Sequence, residues 1–303
     1  MSLVKLLVLL AVAMLAALPW VVGSYLVTVM IFIFFYAYLG QAWNIVGGYA
    51  GQLSAGHAAF VGIGGYASAL LSMRLGLSPW IGMWIGGVLA AALGAVIGYL
   101  GFRFGLRGFY FVLLTVAFAE ICRVIALNVD AVGGALGLYI TFTGNPRQFQ
   151  FQDNRAYYYV ALVLMLAATA VVREIERRRF GAYLTAIRQD ESACEALSSF
   201  LTGLGGTFYA YYLFSLQPNA VFGIPLSVEI VIRPIVGGAG TVMGPLLGSF
   251  ILSPLAELSR TYLAQSGWTG VHLIVYGLLL IAVVLFLPQG AYPALRRLAR
   301  RRA

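Results

Sequence analysis

The sequence predicts an all-α protein that crosses a membrane about ten times, with some helices broken at glycine-rich stretches. Of its 303 residues 61% are hydrophobic and 10% are charged, whereas soluble domains carry about 25% charged residues. No Asp, Glu, Lys or Arg lies between Lys5 and Arg74, a run long enough for about three crossings at ~20 residues each. A second uncharged run, from Leu75 to Phe102, holds at least one more. We therefore expect one transmembrane domain over residues 1–303.

Ten apolar stretches account for the expected crossings or partial crossings. The first begins at Leu3, is long enough to span and runs almost directly into the second, so we expect a retained helix and not a cleaved leader. The predicted spans lie near residues 3–22, 24–46, 54–73, 80–101, 108–127, 156–172, 198–214, 226–243, 244–260 and 270–288.

The distribution of basic residues predicts the orientation of these spans. With a cytoplasmic N-terminus, 13 of the 19 basic residues fall inside, including those of the basic tail over residues 289–303. The positive-inside rule therefore predicts that both termini are cytoplasmic. The net charge of +9 reflects this topology and contact with anionic lipid headgroups. No other basic patch is interleaved with aromatic residues, so we expect no nucleic-acid partner.

The stretch from Gly47 to Tyr66, GGYAGQLSAGHAAFVGIGGY, holds seven glycines and no charged residue. Each glycine costs a helix about 1 kcal/mol relative to alanine, so this density requires a reason. One reason is close helix packing through small residues. The other is a broken helix whose irregular backbone lines a cavity. Gln52, Ser54 and His57 add polar groups and favour the break, although for His57 alone a hydrogen bond between helices is favoured over substrate contact.

Residues 173–197 contain the longest charged segment inside the chain. Apolar residues recur there at helical spacing while charged residues mark the other faces, which predicts a short amphipathic cytoplasmic helix. Anionic lipid would repel its acidic half, so docking onto a protein partner is favoured over lying along the membrane. The residues expected to make that contact are Phe180, Leu184, Ile187, Arg188, Asp190, Glu191 and Glu195.

A second glycine-rich stretch, GGAGTVMGPLLGS, covers residues 237–249. Its glycines Gly240, Gly244 and Gly248 are four residues apart, which predicts a seam between closely packed helices, with Pro245 starting a new helix. They fit no dinucleotide-binding pattern, and the chain has no phosphate-binding loop of the G-x-x-x-x-G-K-[ST] type.

Two Arg–Glu pairs lie within predicted spans. Glu120 and Arg123 are three residues apart and Glu229 and Arg233 are four apart, so each pair can neutralise itself on one helix. Structural pairing is favoured. The alternative is that Glu120 and Glu229 carry protons in an ion-coupled secondary transporter. With two histidines and two cysteines in the chain, we expect no catalytic residue, metal or cofactor.

Five motifs occurring in order resemble the inner-membrane permease family of branched-chain amino acid (LIV-type) ATP-binding cassette importers, and within it the LivM-like subunit. They are GGYAGQLSAGHAAFVGIGGY (47–66), RGFYFVLLTVAFAEICR (107–123), FGAYLTAIRQDESACEAL (180–197), GGAGTVMGPLLGS (237–249) and YGLLLIAVVLFLPQG (276–290). The resemblance implies a subunit that carries leucine, isoleucine or valine across a bacterial inner membrane. Related importers carry urea, short amides or other amino acids, so those substrates are the alternative.

The resemblance also implies partners and site residues. The partners are a LivH-like permease, two cytoplasmic ATP-binding subunits and a periplasmic substrate-binding protein. Residues 180–197 would be the coupling helix that docks on an ATP-binding subunit, which accounts for the missing phosphate-binding loop. Polar and aromatic residues near helix breaks are the candidates for the substrate pathway. These candidates are Gln52, Ser54, His57, Tyr110 and Thr115.

Two features depart from the family pattern. Leu197 runs directly into Ser198, where the family has a glycine, a short polar stretch and a further apolar run. The 16 residues from Ser198 to Leu213 would extend only about 24 Å, less than a ~30 Å hydrocarbon core. We therefore expect an abnormal or broken connection between Leu197 and Ser198. The second departure is Pro234, which is expected to distort its helix.

Overall fold

The computed structural model describes residues 3–178, 191–265, 277 and 290–294. Over these ranges the chain is helical except for its connections, the longest of which is residues 129–153, and one two-stranded antiparallel ribbon, β1 (Leu138–Tyr139) with β2 (Ser215–Leu216). The helices are α1 (Leu3–Val21), α2 (Ser24–Asn44), α3 (His57–Leu75), α4 (Pro79–Arg103), α5 (Phe109–Asn128), α6 (Asn154–Arg178), α7 (Glu191–Leu213), α8 (Pro218–Val221), α9 (Ile224–Gly237) and α10 (Met243–Gln265).

The helical class is confirmed, and the number of crossings is only partly so. Two shorter apolar helical stretches, Val12–Val21 and Met243–Leu258, accompany the longer ones, and the span predicted near 270–288 lies almost wholly outside the described residues. Within the described part of the chain, the stretches long and apolar enough to cross a membrane are Ser24–Ala50, His57–Leu75, Pro79–Arg103, Phe109–Asn128, Asn154–Arg177 and Pro218–Gly237. These six do not establish the predicted figure of about ten.

The expected break between Leu197 and Ser198 is wrong. Helix α7 runs without interruption from Glu191 to Leu213, a length of 23 residues or about 34 Å. The sequence from Glu191 to Thr202 contains neither glycine nor proline, and its Ala, Glu and Leu residues favour a helix. The residues before Ser198 therefore extend the following helix instead of forming a separate connection.

Glycines bring the central helices α3, α4 and α7 into backbone contact. A Cβ atom added at Gly64 of α3 would lie 1.9 Å from the carbonyl oxygen of Gly203 in α7, and one at Gly86 of α4 would lie 2.7 Å from the carbonyl oxygen of Gly64. Only residues without a side chain allow this approach, as in other membrane helix pairs. These three helices pack on one another, and α2, the most buried of the apolar segments, packs against α6, α7, α9 and α10.

One end of the bundle is closed by the connection between α5 and α6. Its strand β1 pairs with β2, which follows α7, so α5 and α7 end on the same side of the molecule. Phe149 of this connection has a left-handed backbone (φ 55°) and is fully buried. Its ring packs on Trp80, with ring centroids 4.4 Å apart, and on Tyr211. This aromatic contact holds the connection against the ends of α4 and α7.

Candidate translocation site

The glycine-rich stretch after α2 is a break between two helices. Helix α2 continues as a π-helical turn, Ile45–Ala50, which ends at Gly51. Gly51 adopts the left-handed conformation (φ 75°), which glycine tolerates without steric cost, and donates its N–H to the Val46 carbonyl. Residues 51–56 are not helical, and α3 begins at His57. The predicted break is therefore confirmed, while its role in lining a cavity stays a prediction; Gly62, Gly64 and Gly65 also pack closely against other elements, as the alternative expected.

A chain of hydrogen bonds ties the start of α3 to α2 and α7. The Ser54 hydroxyl lies 2.9 Å from His57 Nδ1, and His57 Nε2 lies 2.8 Å from the Ser198 hydroxyl. Ser198 donates its only hydroxyl hydrogen to the Ala42 carbonyl, 2.7 Å away. A neutral imidazole protonated at Nε2 satisfies every partner, because Ser198 then accepts from Nε2–H and Ser54 donates to Nδ1. His57 is fully buried and joins helices, as favoured from its sequence context.

Helix α5 packs directly against this break. Thr115 Oγ1 accepts a hydrogen bond from the Ala55 N–H at 3.1 Å. A Cβ added at Gly56 would lie 2.1 Å from the Thr115 carbonyl oxygen, so the backbones of α5 and the break touch. Gln52 is also buried, in the same connection. The structure thus gathers four predicted pathway residues on or against the break, whereas Tyr110 is 67% exposed on α5 and is not part of this cluster.

A second break, over residues 238–242, separates α9 from α10 and packs against the end of α2. Asn44 Oδ1 accepts from the Gly240 N–H at 2.8 Å, and its amide nitrogen donates to the Thr241 carbonyl at 3.0 Å. Gln41 donates to the Val242 carbonyl at 2.7 Å. Gln41 and Asn44 were not predicted as functional residues; the available signal was two amide side chains in an otherwise apolar span. They satisfy backbone groups that a break exposes.

The predicted glycine seam lies beside this second break. A Cβ at Gly244 would lie 2.0 Å from the Gly238 carbonyl oxygen, and one at Gly248 would lie 1.8 Å from that of Arg233. Helices α9 and α10 therefore pack backbone to backbone. Gly240 belongs to the break itself, with φ 76°. Helix α10 begins at Met243, two residues before Pro245, and α9 runs on through Pro234 to Gly237.

In the Arg–Glu pair of α9 the arginine is enclosed, whereas the Glu229 side chain is 28% exposed. Arg233 is 1% exposed, and its guanidinium carbon lies 3.6 Å from the centroid of the Tyr36 ring. Arg233 Nε donates to the Ser253 hydroxyl at 3.2 Å, and one terminal nitrogen donates to the Glu229 carbonyl. The other terminal nitrogen lies 3.6 Å from the Glu229 carboxylate. This arginine joins α9 to α2 and α10.

The Arg–Glu pair of α5 is exposed on the isolated chain. The side chain of Glu120 is 51% exposed and that of Arg123 is 27% exposed. Arg123 Nε donates to Glu120 Oε2 at 2.9 Å, and a terminal nitrogen of Arg123 donates to Oε1. The other terminal nitrogen donates to Asn219 Oδ1 of α8 at 2.6 Å. Asn219 was not predicted, since nothing in its sequence context connects it to α5.

Glu195 does not occupy a surface position. Glu195 is fully buried. It packs against α4, where a Cβ added at Gly98 would lie 3.3 Å from the Glu195 Cβ. The Ser54 hydroxyl lies near the Glu195 carboxylate. Within the described residues, however, neither carboxylate oxygen accepts a hydrogen bond of normal geometry. Because α7 is continuous, this side chain lies inside the bundle. In this structure Glu195 is therefore not available for the expected contact with an ATP-binding subunit.

The other expected contact residues lie at the edge of the described structure or beyond it. Glu191 begins α7. Phe180, Leu184, Ile187, Arg188 and Asp190 lie outside the described residues. The described ranges contain no group of histidine, cysteine, aspartate and glutamate side chains that could hold a metal ion.

A cavity of about 240 Å³ lies at the start of α2, at the opposite end of that helix from the break. It contains none of the predicted pathway residues. Its lining comes from the α1–α2 turn and the start of α6: Pro19, Val22, Ser24, Val27, Asp153, Asn154 and Arg155.

Comparison with known proteins identifies the family. Residues 25–284 match the family described as branched-chain amino acid transport system / permease component. The chain belongs to this permease family. Two relatives, from Escherichia coli (strain K12) and Salmonella typhimurium (strain LT2), are each named "High-affinity branched-chain amino acid transport system permease protein LivM". Each is 27% identical over 318 residues, covering 92% of this chain and 72% of the relative. No solved structure matches the permease.

Proposed function

We propose that this permease carries branched-chain amino acids across a bacterial inner membrane as the LivM-like subunit of an ATP-driven importer. The observation that carries the proposal is the family match over residues 25–284, together with apolar helices interrupted at two breaks. Irregular backbone at membrane depth is tolerated where it is buried in protein or lines a water-filled cavity, as in transporters. Urea, short amides and other amino acids are the alternative substrates.

The proposed path runs along the side of the bundle where the break and α5 are exposed. Gly51 and Leu53 are exposed at the break, and α5 has few covered residues. Gln52, Ser54, His57 and Thr115 support this wall from behind, and Tyr110 projects from α5. In this arrangement the buried residues fix the shape of the path, and exposed groups meet the substrate.

The proposed partners follow from the importer assignment. They are a LivH-like permease, two cytoplasmic ATP-binding subunits and a periplasmic substrate-binding protein. Residues 180–191 supply the contact with an ATP-binding subunit, and both termini are cytoplasmic, as the basic residues indicate. ATP-driven movement of this contact rocks the two permeases between inward-open and outward-open states. The energy source lies in the partner subunits, and this subunit has no ATPase site.

An ion-coupled secondary transporter acting alone is the rival function. In that case Glu120 and Glu229 would carry protons. The enclosure of Arg233 beside Glu229 weighs against it, because a glutamate that must load and release protons is poorly placed beside a permanently charged arginine. A secondary transporter also has no need of an amphipathic cytoplasmic segment.

The deciding experiment is uptake of labelled leucine into proteoliposomes that contain this permease, its partner permease, the two ATP-binding subunits and the substrate-binding protein. Valine and urea serve as competitors. We expect ATP-dependent uptake that valine blocks and urea does not. Block by urea alone would assign the alternative substrate class. Uptake by the isolated permease under a proton gradient, without ATP, would establish the rival function.

A charge reversal tests the coupling contact. Arg188→Glu combined with Glu191→Arg should lower transport-linked ATP hydrolysis in the assembled complex without changing its melting temperature. The matched control is a reversal in the basic tail, Arg300→Glu, which lies outside the expected contact. Unaltered hydrolysis in a stably assembled double variant would reject the assignment.

A further inference from the structure

The charged side chains of α5 lie on its exposed side at membrane depth. Glu120 is about 12 Å from the end of the helix at Asn128, well within the ~30 Å depth of a bilayer core. In the apolar segment of α5 only 22% of residues are buried, against 72% in that of α2. Glu120 shares its exposed stripe with Leu113, Ala117 and Val124.

A charged pair in this position needs polar surroundings that the described chain does not supply. Ionised side chains within spans face the interior of a bundle or a water-filled cavity, because lipid solvates them poorly. The interior is excluded, since half of the Glu120 side chain is exposed. Direct contact of the charged pair with lipid would be unfavourable. In the assembled transporter, water, substrate or a partner subunit must therefore supply the polar surroundings on the exposed side of α5.

The pair also has unused hydrogen-bonding capacity. Arg123 uses two N–H groups on Glu120 and one on Asn219, so two of the five on a guanidinium have no partner among the described residues. Each Glu120 oxygen accepts one of these bonds and can accept another. A donor pair and an acceptor thus stand side by side on an otherwise apolar stripe.

We propose that Glu120 and Arg123 bind the zwitterionic head group of an amino acid as it crosses the membrane. Its carboxylate accepts hydrogen bonds from the free N–H groups of Arg123, and its ammonium group donates to Glu120. The neighbouring apolar stripe receives an aliphatic side chain. Asn219 acts as a positioning residue, because its bond to Arg123 fixes the guanidinium plane. The inference rests on the proposed function, which supplies amino acids as the ligand.

An exchange of the charges of Glu120 and Arg123 distinguishes binding of the amino-acid head group from an ion pair that only stabilises the structure. Leucine uptake is measured in the reconstituted complex for Glu120→Gln, Arg123→Gln and the double variant Glu120→Arg/Arg123→Glu. Each single variant should lower kcat/KM about tenfold. The double variant retains an ion pair but reverses its polarity along α5, so uptake should stay low. The control is the same exchange in the exposed Asp153–Arg155 pair, whose charged atoms are 3.8 Å apart and which should transport normally.

The outcomes distinguish the inference from the proposed function. Melting temperature and co-purification of the partner permease are recorded for every variant, and both should match the wild type. Restored uptake in the double variant overturns head-group recognition while the importer assignment stands. Loss of the partner permease from the double variant also overturns it, by assigning the pair to the subunit interface. A wild-type complex that transports no amino acid overturns the proposed function and this inference together.

Discussion

The two Arg–Glu pairs in membrane-spanning helices have similar sequence spacing and different surroundings. Arg233 is enclosed between Tyr36, Ser253 and Glu229. Arg123 and Glu120 lie at the surface of α5, and within the described part of the chain they keep donors and acceptors that no other group uses. An enclosed arginine held by neighbouring helices stabilises helix packing, whereas an exposed charge at membrane depth needs water, substrate or a partner subunit beside it. The two pairs have similar spacing, so their surroundings and not their spacing distinguish the structural ion pair from the proposed recognition site.

The largest expected effect follows removal of the enclosed arginine, Arg233. Arg233→Ala leaves Glu229 without its partner and removes the contact between α9, Tyr36 and Ser253, so we expect a loss of about 3 kcal/mol or more in the free energy of unfolding. Thermal unfolding in detergent measures this loss. The matched variant is Arg123→Ala, which should unfold at the wild-type temperature and lower kcat/KM for leucine uptake about tenfold. Equal destabilisation by both substitutions would remove the distinction between the pairs.

The next largest effect is on the stability of the contact between α5 and the break. A Cβ added at Gly56 meets the Thr115 carbonyl oxygen at 2.1 Å, so Gly56→Ala should push α5 away from the break and cost about 1 to 3 kcal/mol. Thermal unfolding again provides the measurement. Gly23→Ala is the control, because an added Cβ there meets nothing within 4 Å. A variant at Gly56 as stable as that control would mean that α5 and the break are not in backbone contact.

The smallest expected effect is at Asn219. Asn219→Ala removes one hydrogen bond to Arg123 and no charge, so we expect the KM for leucine to rise about threefold, with kcat and the melting temperature unchanged. Asn219→Asp should retain near-normal KM, because its carboxylate can accept the same bond. A fall in kcat at unchanged KM would contradict a role in positioning Arg123 for binding.

Local features were predictable from the sequence. Glycine density and three polar residues predicted the break between α2 and α3, because each glycine weakens a helix wherever it occurs. The spacing of Gly244 and Gly248 likewise predicted the seam between α9 and α10. The extent of the π-helical turn was not predicted, since it depends on how α2 packs.

Contacts between distant segments were not predictable. Asn44 and Gly240 are 196 positions apart, and nothing in the local sequence of either residue predicts that they form a hydrogen bond. The expected break at Leu197 was wrong for a related reason. It was inferred from a family pattern, whereas the local sequence favours a continuous helix, and that helix carries Glu195 into the interior. The two Arg–Glu pairs were recognised, but their exposure is a property of the assembled bundle.

Thiol labelling of α5 in the complete transporter tests the central distinction most directly. Ala117 and Ala119 are neighbours in depth on one helix, and the first is exposed while the second is buried. In a background with Cys122 and Cys194 replaced by alanine, Ala117→Cys should react with a membrane-impermeant thiol reagent, leucine should protect it, and Ala119→Cys should stay unlabelled. An unreactive Ala117→Cys would contradict the account, because the charged side of α5 would then face lipid or protein and not a water-filled path.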